Sequence, residues 1–308
     1  MIRVLNFGSI NIDHVYTVKH FVRPGETQIC KTYQRFAGGK GLNQSIALAQ
    51  AGSAVYHAGK VGHEDLWLKA LMDKKGVDTR YVVHHSGPSG HAVIQVNDDG
   101  ENTIVIVGGA NQHISVDEIE QSLEQFDQGD CLLIQNETNA VPQIMQSAHA
   151  QGLTIVFNPA PMTLDVLHYP LELVDILLVN ETEAQTLTGE IEPQKIYSFI
   201  NRRYPQMAMV LTLGHKGAYY FNSRICLHQP AQHVQVLDST GAGDTFIGYF
   251  LAELINTKDP KIALKCASRA AALCITRAGA AESIPTRDEL SAFTPASPPL
   301  VAAVATHS

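Results

Sequence analysis

Residues Val236–Phe250 read VLDSTGAGDTFIGYF, an apolar strand-like start, a break at Gly241-Ala242-Gly243, and an apolar helical run headed by Asp244. Two readings fit that break. An aspartate at a helix start satisfies orphan N–H groups, so Asp244 could be a plain N-cap behind a tight turn. Alternatively, the small residues let backbone amides approach an anion at the positive end of the helix, and the carboxylate faces whatever binds there. The stretch is not a Walker A loop, because no Gly-Lys-Ser/Thr follows. Nor is it G-x-G-x-x-G, since the glycine after Gly241 and Gly243 is Gly248, two positions late. Amides beside a carboxylate would suit phosphoryl transfer to a hydroxyl, which needs a base for the proton and donors for the migrating group.

Outward from this stretch, strand-like runs alternate with helical ones. RVLNFGS, SAVYHAGKV, DCLLIQNE, LTIVFNPA, DILLVNE and MAMVLTLG read as buried strands. Between them GLNQSIALAQAG, DLWLKALMDKKG, SVDEIEQSLEQF, VPQIMQSAHAQG and TEAQTLTG carry helical apolar spacing and glycine stops. Ser115 followed by Glu118 reads as a capping box. The alternation predicts an α/β fold, a parallel sheet covered by helices on both faces. Two segments break the rhythm. Asp13–Phe36, interrupted at Pro24-Gly25, and Gly90–Val107, turning at NDDGEN, alternate polar and apolar residues as hairpins of a small flap. The final TPASPPLVAAVATHS reads as a loosely held tail.

Composition narrows the class. A chain of 308 residues with 45% hydrophobic and 17% charged content has room for a large core and the balance of a globular enzyme. A net charge of −8 argues against general affinity for nucleic acid or acidic membranes. The five cysteines are scattered, without a C-x-x-C pair, which points to a reducing, cytoplasmic setting rather than a disulfide framework or structural zinc. No leader or membrane-spanning run is read from the sequence. The 14 histidines form no H-x-x-x-H or H-E-x-x-H pair, and there is no G-x-S-x-G.

Polar clusters recur at the expected carboxyl ends of strands, where α/β sheets hold ligands. Phe36–Gly52 (FAGGKGLNQSIALAQAG) sets glycines, Lys40 and Asn43 at a helix start, giving a ligand access to backbone and to donors at the positive end. Asn11 and Asp13 follow the first strand, Glu137 follows CLLIQN, and Asn180, Glu181 and Glu183 follow DILLV. A carboxylate accepts two hydroxyl hydrogen bonds at once, which suits a polyol.

The segments GSINIDHV, PGET, AGGKGLNQS, GGAN, NPAP, NETEAQTLTG, LTLGHKGAYY, DSTGAGDTFIGYF and AAALCITRAGAAESIP stand in this order over roughly residues 1–294. The series resembles the phosphofructokinase-B-type, ribokinase-like carbohydrate kinases, with GGKG plus Asn as the ribokinase-like variant. The resemblance implies a three-layer α/β/α kinase domain over 1–294 with a mostly parallel central sheet. It adds a β-sheet lid from strands within 13–36 and 90–107, and leaves 295–308 as a tail. It implies ATP-dependent phosphorylation of the primary hydroxyl of a small sugar, D-ribose first, deoxyribose or another small sugar or polyol second. A nucleoside kinase or a non-catalytic sugar sensor ranks below these.

By the same resemblance Asp244 is the base, and Gly241, Ala242 and Gly243 form the anion hole. Asn11, Asp13, Gly38, Gly39, Lys40, Asn43 and Glu137 hold the sugar. Asn180, Glu183, the turn Thr212, Leu213, Gly214, His215, Lys216 and Gly217, and Ser268 near the adenine serve ATP and Mg2+. A monovalent cation, K+, is expected beside the anion hole at Asp238, Thr240, Cys274, Arg277, Gly279 and Ser283. Pairing of lids into a homodimer is expected as well. Asn136 before Glu137 and Leu42 in the glycine loop depart from the family pattern at places that could reshape the sugar pocket.

Overall fold

The structure, a computed structural model, describes residues 2–294. Among these residues the strands are β1 (Arg3–Phe7), β2 (Asn11–Thr17), β3 (Thr32–Gly38), β4 (Ala54–Gly62), β5 (Asp78–His85), β6 (Gly90–Val96), β7 (Asn102–Val107), β8 (Cys131–Gln135), β9 (Thr154–Asn158), β10 (Ile176–Asn180), β11 (Ala208–Thr212), β12 (Ala218–Phe221) and β13 (Cys226–Gln229). The helices are α1 (Lys40–Gln50), α2 (Leu66–Lys74), α3 (Val116–Leu123), α4 (Val141–Ala150), α5 (Glu181–Thr188), α6 (Pro193–Arg203), α7 (Ala242–Thr257), α8 (Pro260–Cys274) and α9 (Arg287–Ala292). The tail expected at 295–308 lies outside the described residues.

One sheet runs in the order β13-β12-β11-β10-β9-β8-β1-β4-β5, parallel except for antiparallel β12 and β13 at one edge. Alternate residues of each strand serve opposite layers. In β8, Cys131 and Leu133 join a core with Leu42 and Ile46 of α1, Phe250 of α7 and Leu264 of α8. Leu132 and Ile134 join a second core with Ile119 of α3, Ile144 of α4 and Ile196 of α6. Burying a Leu or Ile contributes about 1.5–3 kcal/mol, more than the ~1 kcal/mol span of strand propensity, so two-sided burial decides these strands. This is the expected three-layer α/β/α fold. The capping box is also present, with the Ser115 side chain accepting from Glu118 N–H and the Glu118 carboxylate accepting from Ser115 N–H.

The flap is a four-stranded sheet in the order β3-β2-β6-β7, with a parallel β2–β6 pair between two antiparallel pairs. Its strands begin at Asn11 and end at Gly38, two residues beyond the expected bounds at each end. The turn after β6 is organised by Asn97, whose Oδ1 accepts from Asp99 N–H (3.1 Å) and Glu101 N–H (2.9 Å).

One local expectation fails. Val236 and Leu237 form no strand; they are 59% and 69% exposed, and Leu237 N–H bonds Ile275 O (2.8 Å) beyond the end of α8. A strand needs a neighbouring strand to pair with, and here the backbone N–H groups of Leu237 and Asp238 bond Ile275 O instead.

From β1 the chain crosses to β4 on one side, and β8 later pairs on the other. That reversal opens a crevice beyond the carboxyl ends of β1 and β8, the place where such sheets bind ligands.

Candidate active site

The glycine-flanked start of α7 is not closed by its own aspartate. Gly241 takes φ 75°, a left-handed conformation that favours glycine, and no side chain caps the helix. The first helical bond runs from Thr245 N–H to Gly241 O (2.8 Å), so the Gly243 and Asp244 N–H groups before it lack intrahelical acceptors. Asp244 turns instead toward α1, accepting from Asn43 Nδ2 (3.0 Å) and Gln44 Nε2 (2.9 Å). The crossing that allows this is set one turn later. A Cβ on Gly248 would lie 2.4 Å from Ala47 Cβ, so only glycine lets α7 approach α1 this closely. Asp244 and Gly248 share one face of α7, and Asn43 and Ala47 share one face of α1, because residues four apart stack on a helix.

Burial pushes Asp244 up to about 6, against the downward pull of Lys40 and of the Gln44 and Asn43 donors. A carboxylate poised there is ionised at neutral pH and still basic enough to take a hydroxyl proton.

On the lid side, Glu137 ties three groups together: it accepts from Lys40 N–H (2.9 Å), Lys40 Nζ (3.0 Å) and the Ser9 hydroxyl. Burial works against the Lys40 ammonium, but Glu137 and Asp244 outweigh it and hold its pKa above the ordinary range. Asp13 is raised to about 6, chiefly by burial and then by Glu137. Its carboxylate lies against Gly38, where a Cβ would come within 2.3 Å of Oδ2. Gly39 (φ 92°) turns the chain from β3 into α1. Asn11 is buried and accepts from Asn111 Nδ2 (2.7 Å), which belongs to the GGAN segment. Asn11, Asp13, Gly38, Gly39, Lys40 and Glu137 therefore gather in one polar cluster where the lid strands meet the start of α1. Asn43 adjoins it; its Nδ2 donates to Asp244, while its Oδ1 is buried without a hydrogen-bond partner.

On the other side of the α7 start opens a largely apolar cleft of about 640 Å3. Ala242 and Gly243 line it together with Thr212, Gly214, His215, Gly217 and Ser268. Asn180 and Glu183 form a reciprocal cap on α5: Asn180 N–H to Glu183 Oε2, Asn180 Nδ2 to Glu183 Oε1, and Glu183 N–H to Asn180 Oδ1, each 2.9 Å. Burial, opposed by the Asn180 bonds, raises Glu183. Leu213 is buried, and Lys216 Nζ points to Glu181 Oε1 (3.2 Å), so neither side chain lines the cleft. Residues 231–234, Val236, Phe246, Ala271, Ala272 and Ile275 also line it. Their only sequence signal is the small-residue stripe of α8 and the apolar run after Asp244.

The arrangement places one carboxylate between a polar cluster and the helix start that lines the cleft. The pfkB family carbohydrate kinase model matches residues 1–287. The chain belongs to this family of carbohydrate kinases. The ribokinase of Haemophilus influenzae is 39% identical over 298 residues, covering 93% of this chain and 96% of that one. Among solved structures, ribokinase from Cryptococcus neoformans in complex with ADP superposes with a TM-score of 0.83 at 34% identity, covering 95% of this chain and 99% of that one. Arabidopsis thaliana ribokinase complexed with ribose and ATP gives 0.82 at 29% identity, covering 95% and 98%.

Within this carbohydrate kinase the expected cation loop is compact. Asp238 Oδ1 accepts from Thr240 N–H (2.9 Å) and the Thr240 hydroxyl (2.7 Å), and Oδ2 accepts from Gly279 N–H (2.9 Å). Burial opposes the Asp238 charge, but these donors outweigh it and hold the carboxyl below the usual range. Cys274 Sγ lies 3.0 Å from Ser283 Oγ. The Arg277 side chain leaves the group to pair with Glu289 (2.9 Å), so only its backbone remains available. The two family departures are both engaged elsewhere in the fold. Leu42 is fully buried in the core, and Asn136 is held away by Pro161 O (2.8 Å) and the Tyr169 hydroxyl (2.9 Å).

Proposed function

We propose that this kinase transfers the γ-phosphoryl group of ATP to the primary hydroxyl of a small sugar, D-ribose first, through one kinase unit over 1–294. The observation that carries the reading is Asp244, held by α1 between the polar cluster and the cleft-lining start of α7, with the Gly243 and Asp244 N–H groups free beside it. Asn11, Asp13, Lys40 and Glu137 orient the hydroxyls of the sugar, and the cleft of about 640 Å3 takes the nucleotide. The Asp244 carboxylate accepts the hydroxyl proton as the oxygen attacks in line, and the amides at the α7 start hold the charge of the migrating group. The lid excludes water, which would otherwise divert the phosphoryl group. A panel of pentoses and hexoses with ADP release coupled to a reporter tests this; ribose is expected to give the highest kcat/KM, with deoxyribose next.

Among the described residues no group of three or more His, Cys, Asp or Glu could hold a metal. Asn180 and Glu183 would hold the Mg2+ that accompanies ATP, an ion that keeps most of its waters and takes one or two carboxylates. Bound there it would neutralise phosphate charge.

The Asp238 loop, rich in hard oxygen donors with one carboxylate, fits K+. A cation there would brace the turn carrying Gly241 and so the amides of α7. Activity is expected to be higher in potassium than in sodium at matched ionic strength; equal rates would contradict this.

Dimerisation through the lid is part of the same reading. Ile104, Val105, Ile106 and Val107 of edge strand β7 are 41–66% exposed, and an open apolar edge is normally covered. Light scattering at micromolar concentration is expected to give twice the 33.5 kDa chain mass, and a single-chain mass would count against pairing. A cytoplasmic setting accords with five free cysteines and with no described helix long and apolar enough to cross a membrane.

A further inference from the structure

Behind Asp244, away from both pockets, lies a continuous chain of buried polar side chains. Gln44 Nε2 donates to Asp244 Oδ1 (2.9 Å) and to Asn158 Oδ1 (3.1 Å). Gln135 Nε2 donates to Gln44 Oε1 (2.7 Å) and to Asn6 Oδ1 (2.9 Å). Asn6 Nδ2 donates to Gly41 O and Ser45 Oγ (both 2.8 Å), and Ser45 Oγ meets His57 Nδ1 (2.8 Å). Asn6, Gln44, Ser45, His57 and Gln135 are fully buried, and Asn158 is 5% exposed. They come from β1, α1, β4, β8 and β9, so five elements converge on this line.

Buried polar groups are costly unless paired, and apolar side chains would fill this space without that demand. The direction of the chain is informative. Gln44 accepts at Oε1 and spends both Nε2 hydrogens, one of them on the Asp244 carboxylate. A glutamine can do this; an aliphatic side chain offers no donor, and a glutamate offers a second acceptor.

We propose that Gln44 is a positioning residue for phosphoryl transfer: its amide, locked from behind by Gln135 and Asn158, holds the Asp244 carboxylate at the mouth of the amide cradle and in its proton-accepting form. The inference rests on Asp244 being the base. Groups facing Asp244 from other elements are Lys40 on α1, Glu137 after β8, Asp13 on β2 and Cys274 at the end of α8. His57 at the far end stays neutral at working pH, because burial lowers it to about 4.

The test is the pH dependence of kcat on ribose for the wild type, Gln44→Met and Gln44→Glu, with thermal melts to verify folding. Methionine keeps length and burial but removes the donor, which stabilises the ionised carboxylate. The acid limb is expected to move up by about one pH unit, with activity partly regained at alkaline pH and KM for ATP unchanged. Glutamate matches the shape of glutamine better but opposes a second carboxylate to Asp244, so it is expected to be slower than methionine at neutral pH. The contribution of Asp13 is common to all three and cancels in the comparison. If neither variant folds, Gln135→Met removes the lock on Gln44 and carries the same readout with a smaller displacement. A limb that stays in place, or Gln44→Glu outperforming Gln44→Met, would overturn the proposal in favour of a packing role. A folded wild type inactive on every sugar would overturn the reading beneath it as well.

Discussion

Asp244→Asn is expected to lower kcat by about 10²–10⁴-fold, the usual contribution of a general base, while ATP binding is retained. Its thermal midpoint at neutral pH is expected to be no lower than that of the wild type. The sign follows from burial, which raises Asp244 to about 6, whereas a free aspartate titrates near 3.9. A carboxyl with a raised folded pKa favours the fold while protonated, and that contribution is lost as pH rises from about 4 through about 6. Above that window the ionised group is a burden which asparagine removes. The same value places the acid limb of the wild-type rate near pH 6, shared with Asp13, which is raised to a similar degree. Steady-state rates and melts between pH 4 and 8 check both expectations. Turnover of the variant within a few-fold of wild type would contradict the base assignment.

Gly248→Ala is expected to destabilise the fold by about 1–3 kcal/mol, the cost of overpacking a close contact. In an open helix the same change would stabilise by about 0.5–1 kcal/mol. The sign reverses because the new Cβ would sit 2.4 Å from Ala47 Cβ and 2.9 Å from Ala47 C and Leu48 N, and backbone cannot swing aside as a long side chain can. Forcing α7 off α1 also moves Asp244 from Asn43, and a displacement of about 1 Å can cost up to about 10²-fold in rate. Urea unfolding and kcat read the two effects separately. Unchanged or increased stability would mean that the crossing is not held by Gly248.

The layers of the fold were legible because parallel strands buried on both faces leave continuous apolar runs, as in CLLI and ILLV. Ser115 with Glu118 and NDDGEN were legible for the same reason: the chemistry that makes a cap or a turn is local. Val236 and Leu237 misled because apolar character alone does not supply a pairing neighbour. Gly248 looked like a misplaced fingerprint glycine, and its reason lies in Ala47, far along the chain. The ambiguity at Asp244 had the same origin. Whether an aspartate caps its own helix depends on what else its carboxylate can reach, and here that is Asn43, 201 residues away. Asn43, expected to hold the sugar, donates its Nδ2 to the aspartate and keeps a buried Oδ1 without a partner. Gln44 gave no signal at all, since a buried glutamine inside a polar motif cannot be told from an exposed one without the fold.

The most direct measurement is 31P NMR of the reaction of the wild type with ATP and ribose. The expected product is a phosphomonoester whose phosphorus couples to the two protons of the primary carbon, formed in step with ADP. An ester at the anomeric carbon, or inorganic phosphate released without any ester, would contradict the assignment of Asp244 as the base for a primary hydroxyl.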